Sequence, residues 1–238
     1  MSILPHPGWL SALAQEIGDA LLPASCLLCG ADSRRTLLCA DCHGDLPELP
    51  AGHCPLCADQ TTHGERCGSC LKDPPSFDGT VALYRYDFPV DRIVHALKYG
   101  HQLAVADWCG QRLGERLAGQ RFDRIIPLPL HDERLRQRGF NQSLEIAQKF
   151  AVWAKIPVDR EHVRRSRATP PQADLPLKAR RKNVRGAFEC AADFSGQSLL
   201  LVDDVMTTGA TANECARVLK LHGAASVTVA VVARALKH

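Results

Sequence analysis

The spacing of apolar positions divides the chain into short segments of different period. Thr80 to Tyr86 alternates apolar and polar residues, as a half-buried strand does. Val90 to Tyr99 and Ala104 to Leu117 follow the helical period. Asp123 to Pro127 reads as a short buried strand, Asn141 to Trp153 as a helix capped by Asn141, and Val158 to Val163 as a further strand. Leu199 to Val202 is a continuous apolar run, as in a central parallel strand. Ala210 to Leu221 is a helix stopped by Gly223, and Ser226 to Val232 closes the series. Strands alternating with helices predict an α/β domain over residues 76–238, with a mostly parallel sheet covered by helices on both faces. Arg164 to Arg185 is basic, contains proline and has few apolar residues, so it reads as an exposed loop.

The first 75 residues obey other rules. Within 1–25, Trp9, Leu13, Ile17 and Leu21 form one apolar stripe of a short helix that Pro23 ends. That stripe reads as packing against the next module, since its polar face lacks the basic cluster of a membrane-surface helix. Segment 26–73 is rich in Cys, Gly, Pro and His and poor in large apolar residues, and such a segment cannot hold a core without a staple. Pro74 and Pro75 read as a linker.

Composition narrows the setting. A chain of 238 residues suffices for one α/β domain and a small extra module. A net charge of +3 neither demands nor excludes a nucleic-acid partner. Met1 to Ser25 lacks the basic start and continuous apolar run of a secretory leader. No stretch is long and apolar enough to span a bilayer. A cytoplasmic protein, not an integral membrane one, is expected. In that compartment thiols stay reduced, so 11 cysteines point to metal and not to disulfides.

Eight of the cysteines form pairs: Cys26 and Cys29, Cys39 and Cys42, Cys54 and Cys57, Cys67 and Cys70. The second half repeats the first at a constant offset, Cys26 matching Cys54 and Cys42 matching Cys70. Each Cys-x-x-Cys turn aims two thiolates at one ion, and two turns complete a tetrahedral zinc site. The pattern predicts two structural Zn²⁺ sites in a double zinc ribbon. Sequential pairing joins Cys26, Cys29, Cys39 and Cys42, then Cys54, Cys57, Cys67 and Cys70. Crossed pairing, which joins the first pair to the third, fits the count equally. An iron–sulfur cluster also takes four cysteines, but paired knuckles suit zinc better. Closed sites of this kind fold a module and do not catalyse. Cys109, Cys190 and Cys215 sit in apolar or strand contexts and read as small buried hydrophobes.

The most informative stretch runs from Leu199 to Asn213: an apolar strand, the pair Asp203 and Asp204, then Val205, Met206, Thr207, Thr208, Gly209, Ala210 and Thr211 ahead of a helix. Main-chain N–H groups and hydroxyls in such a turn can wrap a phosphate, and the helix N-terminus favours its charge. Gly209 lets the backbone approach closely. The two carboxylates cannot grip an anion, but they can accept hydrogen bonds from neighbouring sugar hydroxyls. A phosphate beside a diol describes ribose 5-phosphate.

This stretch is similar to the phosphoribosyl pyrophosphate motif of class I phosphoribosyltransferases. Together with the cysteine module it resembles the ComF family, which includes GntX-like proteins. Pro127-Leu128-Pro129-Leu-His131 resembles the family's pyrophosphate-side loop, Arg138-Gly-Phe-Asn-Gln142 its Arg-Gly-Phe-Asn-Gln signature, and Arg167 to Phe188 its mobile loop. The resemblance implies a class I phosphoribosyltransferase-like sheet. It implies a phosphoribosyl pyrophosphate ligand held by Asp203 and Asp204 at the ribose hydroxyls and by Thr207 to Thr211 at the 5-phosphate. Mg²⁺ would be bound mainly by the ligand's own oxygens and water. It also implies a link to natural competence and DNA uptake, with single-stranded DNA and the uptake machinery as partners.

Basic residues supply the remaining chemistry. Arg134, Arg136 and Arg138 would point one way if the segment is extended, and Arg suits pyrophosphate oxygens. Lys98 either complements the end of its helix or, by the family comparison, contacts pyrophosphate. The basic loop is either a lid over pyrophosphate or a contact for a nucleic-acid backbone. Phe140 and Phe188 are the nearby aromatic candidates for base stacking. Two functions stand as expectations: a ligand-binding, DNA-handling protein, or an active phosphoribosyltransferase of unknown acceptor.

Overall fold

A computed structural model describes residues 25–34, 36–167 and 184–236. The expected helix from Trp9 to Leu22 and most of the expected basic loop lie outside the described residues. Two compact units divide the chain, Met1–Leu46 and Pro47–His238.

In the first unit, helix α1 (Ala40–Gly44) starts within the second cysteine knuckle, with Cys39 at its N-cap and Cys42 inside it. The second unit begins with the equivalent element, α2 (Gly68–Lys72). The internal repeat holds at the level of single hydrogen bonds. Cys26 N–H donates to Ala31 O at 2.7 Å and Cys54 N–H to Asp59 O at 2.8 Å; Gly30 N–H donates to Cys26 O at 2.9 Å and Ala58 N–H to Cys54 O at 2.8 Å. Gly30 and Ala58, matched in the repeat, both have positive φ, +76° and +54°. The knuckle therefore imposes a left-handed turn even where the residue is alanine.

The rest of the second unit runs β1 (Gly79–Arg85), α3 (Val90–Gly100), α4 (Ala104–Arg116), β2 (Arg124–Pro127), α5 (Asp132–Arg138), α6 (Gln142–Ala154), β3 (Val163–Arg165), β4 (Phe188–Cys190), β5 (Ser198–Met206), α7 (Ala210–Leu221) and β6 (Ser226–Arg234). Four strands make a sheet in the order β1-β6-β5-β2, every pair parallel. Register places Leu201 beside Val229 and Asp203 beside Val231.

Alternation along the strands splits the core in two. Leu199, Leu201, Val227, Val229 and Val231 pack with Cys215, Ala216 and Leu219 of α7. Leu200, Val202 and Ala230 are equally buried and face the other way, where α4 and α6 contact the strands. Gly110 and Gly114 let α4 and α6 cross closely. A Cβ on Gly110 would lie 2.7 Å from Lys149 Cβ, and one on Gly114 would lie 2.5 Å from the Trp153 ring. This is the expected α/β sheet with helices on both faces. Among the described residues no helix is long and apolar enough to cross a membrane.

Three expectations change. The strand predicted over Val158 to Val163 is instead a turn followed by β3, and Val158 keeps only a single parallel bridge to Ile125. Asp159 makes the turn by accepting from the N–H groups of Glu161 at 3.2 Å and His162 at 3.1 Å, an Asx arrangement that competes with a sheet ladder. The described ends of the expected basic loop are ordered: β3 pairs antiparallel with β4, Arg165 opposite Phe188, and Val184 and Ala187 are buried. Arg134 to Arg138 is not extended but lies within α5.

Candidate functional site

Strand β5 does not stop at Val202. It carries both acids and continues to Met206, so Asp203 and Asp204 project to opposite sides of one strand. Asp203 Oδ1 accepts from Ser143 Oγ and from the Asp204 N–H, both at 2.9 Å. Burial and the neighbouring Asp204 push the Asp203 carboxyl up to about 7, against the opposing pull of the Asp204 N–H, Lys98 and Ser143. On the other side, Lys98 Nζ sits 2.8 Å from Asp204 Oδ2. Burial alone would weaken the Lys98 ammonium, but Asp204 and Asp203 outweigh it and raise its pKa.

The turn after β5 takes Gly209 through φ +76° into the N-cap of α7. Thr208 Oγ1 accepts from the Ala210 N–H at 3.3 Å. No acid stands in the first turn of α7, and the first N–H groups of a helix have no partner within it. These features leave a cationic helix end beside two carboxylates.

A cleft of about 390 Å³ opens over this turn. Asp203, Asp204, Val205, Met206, Thr207, Gly209, Ala210 and Thr211 form one wall, and Lys98, Leu128, Arg134 and Arg138 contribute to the others. Of the residues predicted for the site, Pro127, Pro129 and Thr208 do not line it. Pro127 is spent on pairing with Val202 in the sheet, and Thr208 faces a small pocket on the opposite side of the turn. Arg134 and Arg138 reach the cleft together because positions four apart share a helix face. Arg136 turns away, its Nε donating to Asp132 O at 3.3 Å.

The Arg-Gly-Phe-Asn-Gln segment has a structural reason. Asn141 caps α6, Oδ1 accepting from the Ser143 N–H at 3.0 Å. Its Nδ2 donates to Leu128 O at 3.1 Å, tying the loop after β2 to the helix that carries Ser143. Arg138 Nη1 donates to Gln142 Oε1 at 3.1 Å and its guanidinium lies 5.5 Å from the centre of the Tyr99 ring.

Sequence reasoning missed Arg165, Ser143 and Tyr99. Arg165 lines the cleft; burial and the nearby Arg134 lower its pKa, as expected for guanidinium groups crowded together. Tyr99 is exposed and lines the cleft. Phe188, predicted as a stacking residue, is buried beneath the Arg165 guanidinium at 5.7 Å. Phe140 packs against His101 with ring centres 5.3 Å apart. The surplus of guanidinium groups facing a carboxylate pair across a cationic helix end suits a ligand with several phosphate charges and a diol.

The cysteines resolve into the sequential pairing: Cys26, Cys29, Cys39 and Cys42 form one cluster, and Cys54, Cys57, Cys67 and Cys70 the other, each with sulfurs within 4.8 Å of one another. Four thiolates on one zinc ion at about 2.3 Å stand about 3.8 Å apart. Cys29 and Cys39 Sγ are 3.7 Å apart, and Cys57 and Cys67 Sγ 3.6 Å. Burial would raise the Cys54 thiol, yet the N–H groups of Cys67, Cys57 and Leu56 bring it down to about 7. The N–H groups of Cys29, Cys39 and Leu28 do the same for Cys26, to about 6. Neighbouring thiols and burial push Cys42 and Cys70 the other way, so it is the count of four sulfurs and their spacing that fit each cluster to structural zinc. Cys109 and Cys215 are buried and their thiols pushed up by that burial, which makes them poor nucleophiles. Cys190 is half-buried.

Residues 17–71 match the double zinc ribbon domain and residues 138–238 the phosphoribosyl transferase domain. The DNA utilization protein YhgH of Escherichia coli O157:H7 is 36% identical over 191 residues, 77% of this chain and 84% of the relative. Competence protein F of Haemophilus influenzae is 32% identical over 209 residues, 83% and 90% of the two chains. The chain belongs to the ComF/YhgH family. Among solved structures, the purine phosphoribosyltransferase of Pyrococcus horikoshii is 18% identical with a TM-score of 0.35, covering 66% of this chain and 91% of that one. The ComF assignment accounts for the joint presence of zinc ribbons and a phosphoribosyltransferase-type sheet in one polypeptide.

Proposed function

We propose that this ComF-family chain binds phosphoribosyl pyrophosphate, or a related ribose 5-phosphate ligand, in the cleft above β5 and α7, and couples that binding to the handling of single-stranded DNA. One observation carries the reading: Asp203 and Asp204 stand beside the helix end at Gly209 while Arg134, Arg138 and Arg165 line the same cleft. The acids would accept from the ribose hydroxyls, the turn would hold the 5-phosphate, and the guanidinium groups would meet the pyrophosphate. Lys98 would hold Asp204 in place and offset its charge. Mg²⁺ would enter with the pyrophosphate, which supplies most of its oxygens. The names of the relatives, DNA utilization protein and competence protein F, support a role in DNA utilization or competence.

Calorimetric titration with phosphoribosyl pyrophosphate, with and without Mg²⁺, tests the ligand. Saturable binding that Mg²⁺ strengthens is expected, and no heat at millimolar ligand would overturn it. Titration with single-stranded DNA at two salt concentrations tests the second part. Binding that weakens steeply with salt is expected from guanidinium contacts to phosphates, and salt-independent binding would exclude them.

Transfer to an acceptor is the second reading. Tyr99, exposed in the cleft beneath the Arg138 guanidinium, favours it, because an aromatic face suits a planar acceptor. Release of pyrophosphate across a panel of acceptors decides between binding and turnover.

A further inference from the structure

Arg234, the last residue of β6, is a large side chain buried to 1% exposure. A guanidinium carries five N–H donors and no acceptor, and leaving it buried without partners is costly. Its partners come from two places. Nε donates to the carbonyl of Cys57 at 2.7 Å, and Asp59 Oδ1 lies 3.9 Å from Nη2. Both residues belong to the second cysteine cluster's first knuckle. Nη1 donates to the carbonyl of Met206 at 3.2 Å, to that of Thr207 and to that of Ala235. Met206 and Thr207 open the turn proposed to hold the 5-phosphate.

Peptide geometry gives this arrangement a consequence. Across a planar trans peptide the C=O of one residue and the N–H of the next point in opposite directions. Holding the carbonyls of Met206 and Thr207 toward Arg234 aims the N–H groups of Thr207 and Thr208 away from it. Met206 and Thr207 line the ligand cleft and Arg234 does not. Arg234 instead borders the small pocket behind the turn, together with Cys57, Cys70 and Thr208. A separate bond ties the segment after the second cysteine cluster to α7, Ser76 N–H donating to Asn213 Oδ1 at 2.6 Å.

We propose that Arg234 is a positioning residue that links the second cysteine cluster to the phosphate turn, so that metal occupancy at Cys54, Cys57, Cys67 and Cys70 sets the affinity for the phosphorylated ligand. The inference rests on the ligand reading above. With metal bound, the knuckle fixes the Cys57 carbonyl, the carbonyl fixes the guanidinium, and the guanidinium orients the turn's amides. When the metal leaves, the knuckle loosens and Arg234 loses one of its anchors.

Linkage is reciprocal, so the ligand must tighten the metal by the factor by which the metal tightens the ligand. The first experiment uses the wild-type chain carrying both zinc ions. Zinc transfer to a chromogenic chelator at graded concentrations is measured with and without saturating phosphoribosyl pyrophosphate. The ligand is expected to raise the chelator concentration needed to remove one of the two ions about tenfold. Equal zinc retention with and without ligand, in a chain that calorimetry shows to bind it, overturns the linkage while leaving the ligand reading intact. A wild-type chain that binds no phosphoribosyl pyrophosphate overturns the ligand reading itself. The second experiment uses Arg234→Lys, which keeps the charge but cannot span the knuckle and turn carbonyls together. It is expected to retain two zinc ions and a folded far-UV spectrum and to bind the ligand about tenfold more weakly. Wild-type affinity in that variant overturns the positioning role. If the variant does not fold, the chelator measurement on the wild type decides alone.

Discussion

The two cysteine clusters share their cysteine spacing and the hydrogen bonds of their first knuckles, yet they occupy different environments. In the first, Cys26 alone is buried, Cys29 is exposed and Cys39 and Cys42 are half-exposed. In the second, Cys54, Cys57 and Cys70 are buried and belong to the same apolar core as Phe77, Met206 and Leu201. The compact unit that contains the sheet starts at Pro47 and so includes the second cluster. Identical coordination chemistry therefore serves two ends. One cluster staples a short segment that has little apolar material of its own. The other is built into the wall of a larger domain and reaches the turn after β5 through Arg234. A repeat in sequence guarantees the local fold of each copy and says nothing of what each copy packs against.

The widest separation between the two clusters is expected in stability. A structural zinc site supplies roughly 10–16 kcal/mol of apparent binding free energy, and removing one buried thiolate forfeits a large share of it. Cys57→Ser is expected to release one zinc and to lower the thermal midpoint of the sheet-containing unit steeply or abolish its folding. Cys29→Ser also releases one zinc but opens no hole in a core, because Cys29 is exposed. Zinc content and near-UV melting of both variants check this. Equal loss of near-UV structure in the two would erase the contrast.

Next in size is the sugar contact. Asp203→Asn with Asp204→Asn keeps the shape of both side chains and removes the charge. Hydrogen bonds to charged groups contribute about 1.5–3 kcal/mol each. The double variant is expected to bind phosphoribosyl pyrophosphate at least a hundredfold more weakly while still folding, with a lowered thermal midpoint because Lys98 loses its partner at Asp204. Unchanged affinity would remove the acids from the site.

Smaller again is Arg165. It lines the cleft, and its neighbours Arg134 and Arg167 repel it, so an anion arriving there relieves that repulsion. Arg165→Met is expected to weaken the ligand by about tenfold, within the range for one charge-assisted bond. It should also lower the salt slope of single-stranded DNA binding by about one. A loss of ligand affinity with an unaltered slope would separate the two roles.

How far the sequence reached depends on the distance over which each feature is decided. The cysteine knuckles and the strand–turn–helix from Asp203 to Thr211 are local, so their geometry was legible in the sequence. The sheet was legible too, because Leu199 to Val202 and Ser226 to Val232 have the run and period of buried strands. The site's remaining parts meet only in three dimensions. Ser143 reaches Asp203 across 60 positions, Arg234 reaches Cys57 across 177, and no period or motif announces either. The strand expected over Val158 to Val163 failed for a nearer reason: Asp159 turns the backbone by accepting from two N–H groups. An extended segment would turn Arg134, Arg136 and Arg138 one way, but the segment is helical and Arg136 leaves the group. The helix α5 brings Arg134 and Arg138 together because they are four residues apart.

The finest comparison sets the two acids of β5 against each other. Asp204 has Lys98 at 2.8 Å, whereas Asp203 has a hydroxyl and an N–H. Burial and the Asp204 charge push the Asp203 carboxyl from its ordinary 3.8 up to about 7. Between those values the folded chain holds a proton that the unfolded chain has released. The stability this group contributes is therefore full below about pH 3.8 and is lost as the pH rises through 7. Ligand binding has the opposite slope. Sugar hydroxyls donate better to a carboxylate than to a carboxyl, and bonds to the charged form favour it. Affinity for phosphoribosyl pyrophosphate is thus expected to rise between pH 6 and 8, by about tenfold for a group that titrates near 7. The ligand's own phosphates titrate in the same range, so the comparison is with Asp203→Asn, whose profile retains the ligand's ionisation and lacks the protein's. Subtracting the two should leave one titration centred near 7. Parallel profiles would mean that Asp203 keeps one protonation state throughout, and that its place beside Ser143 is structural and not a contact to the sugar.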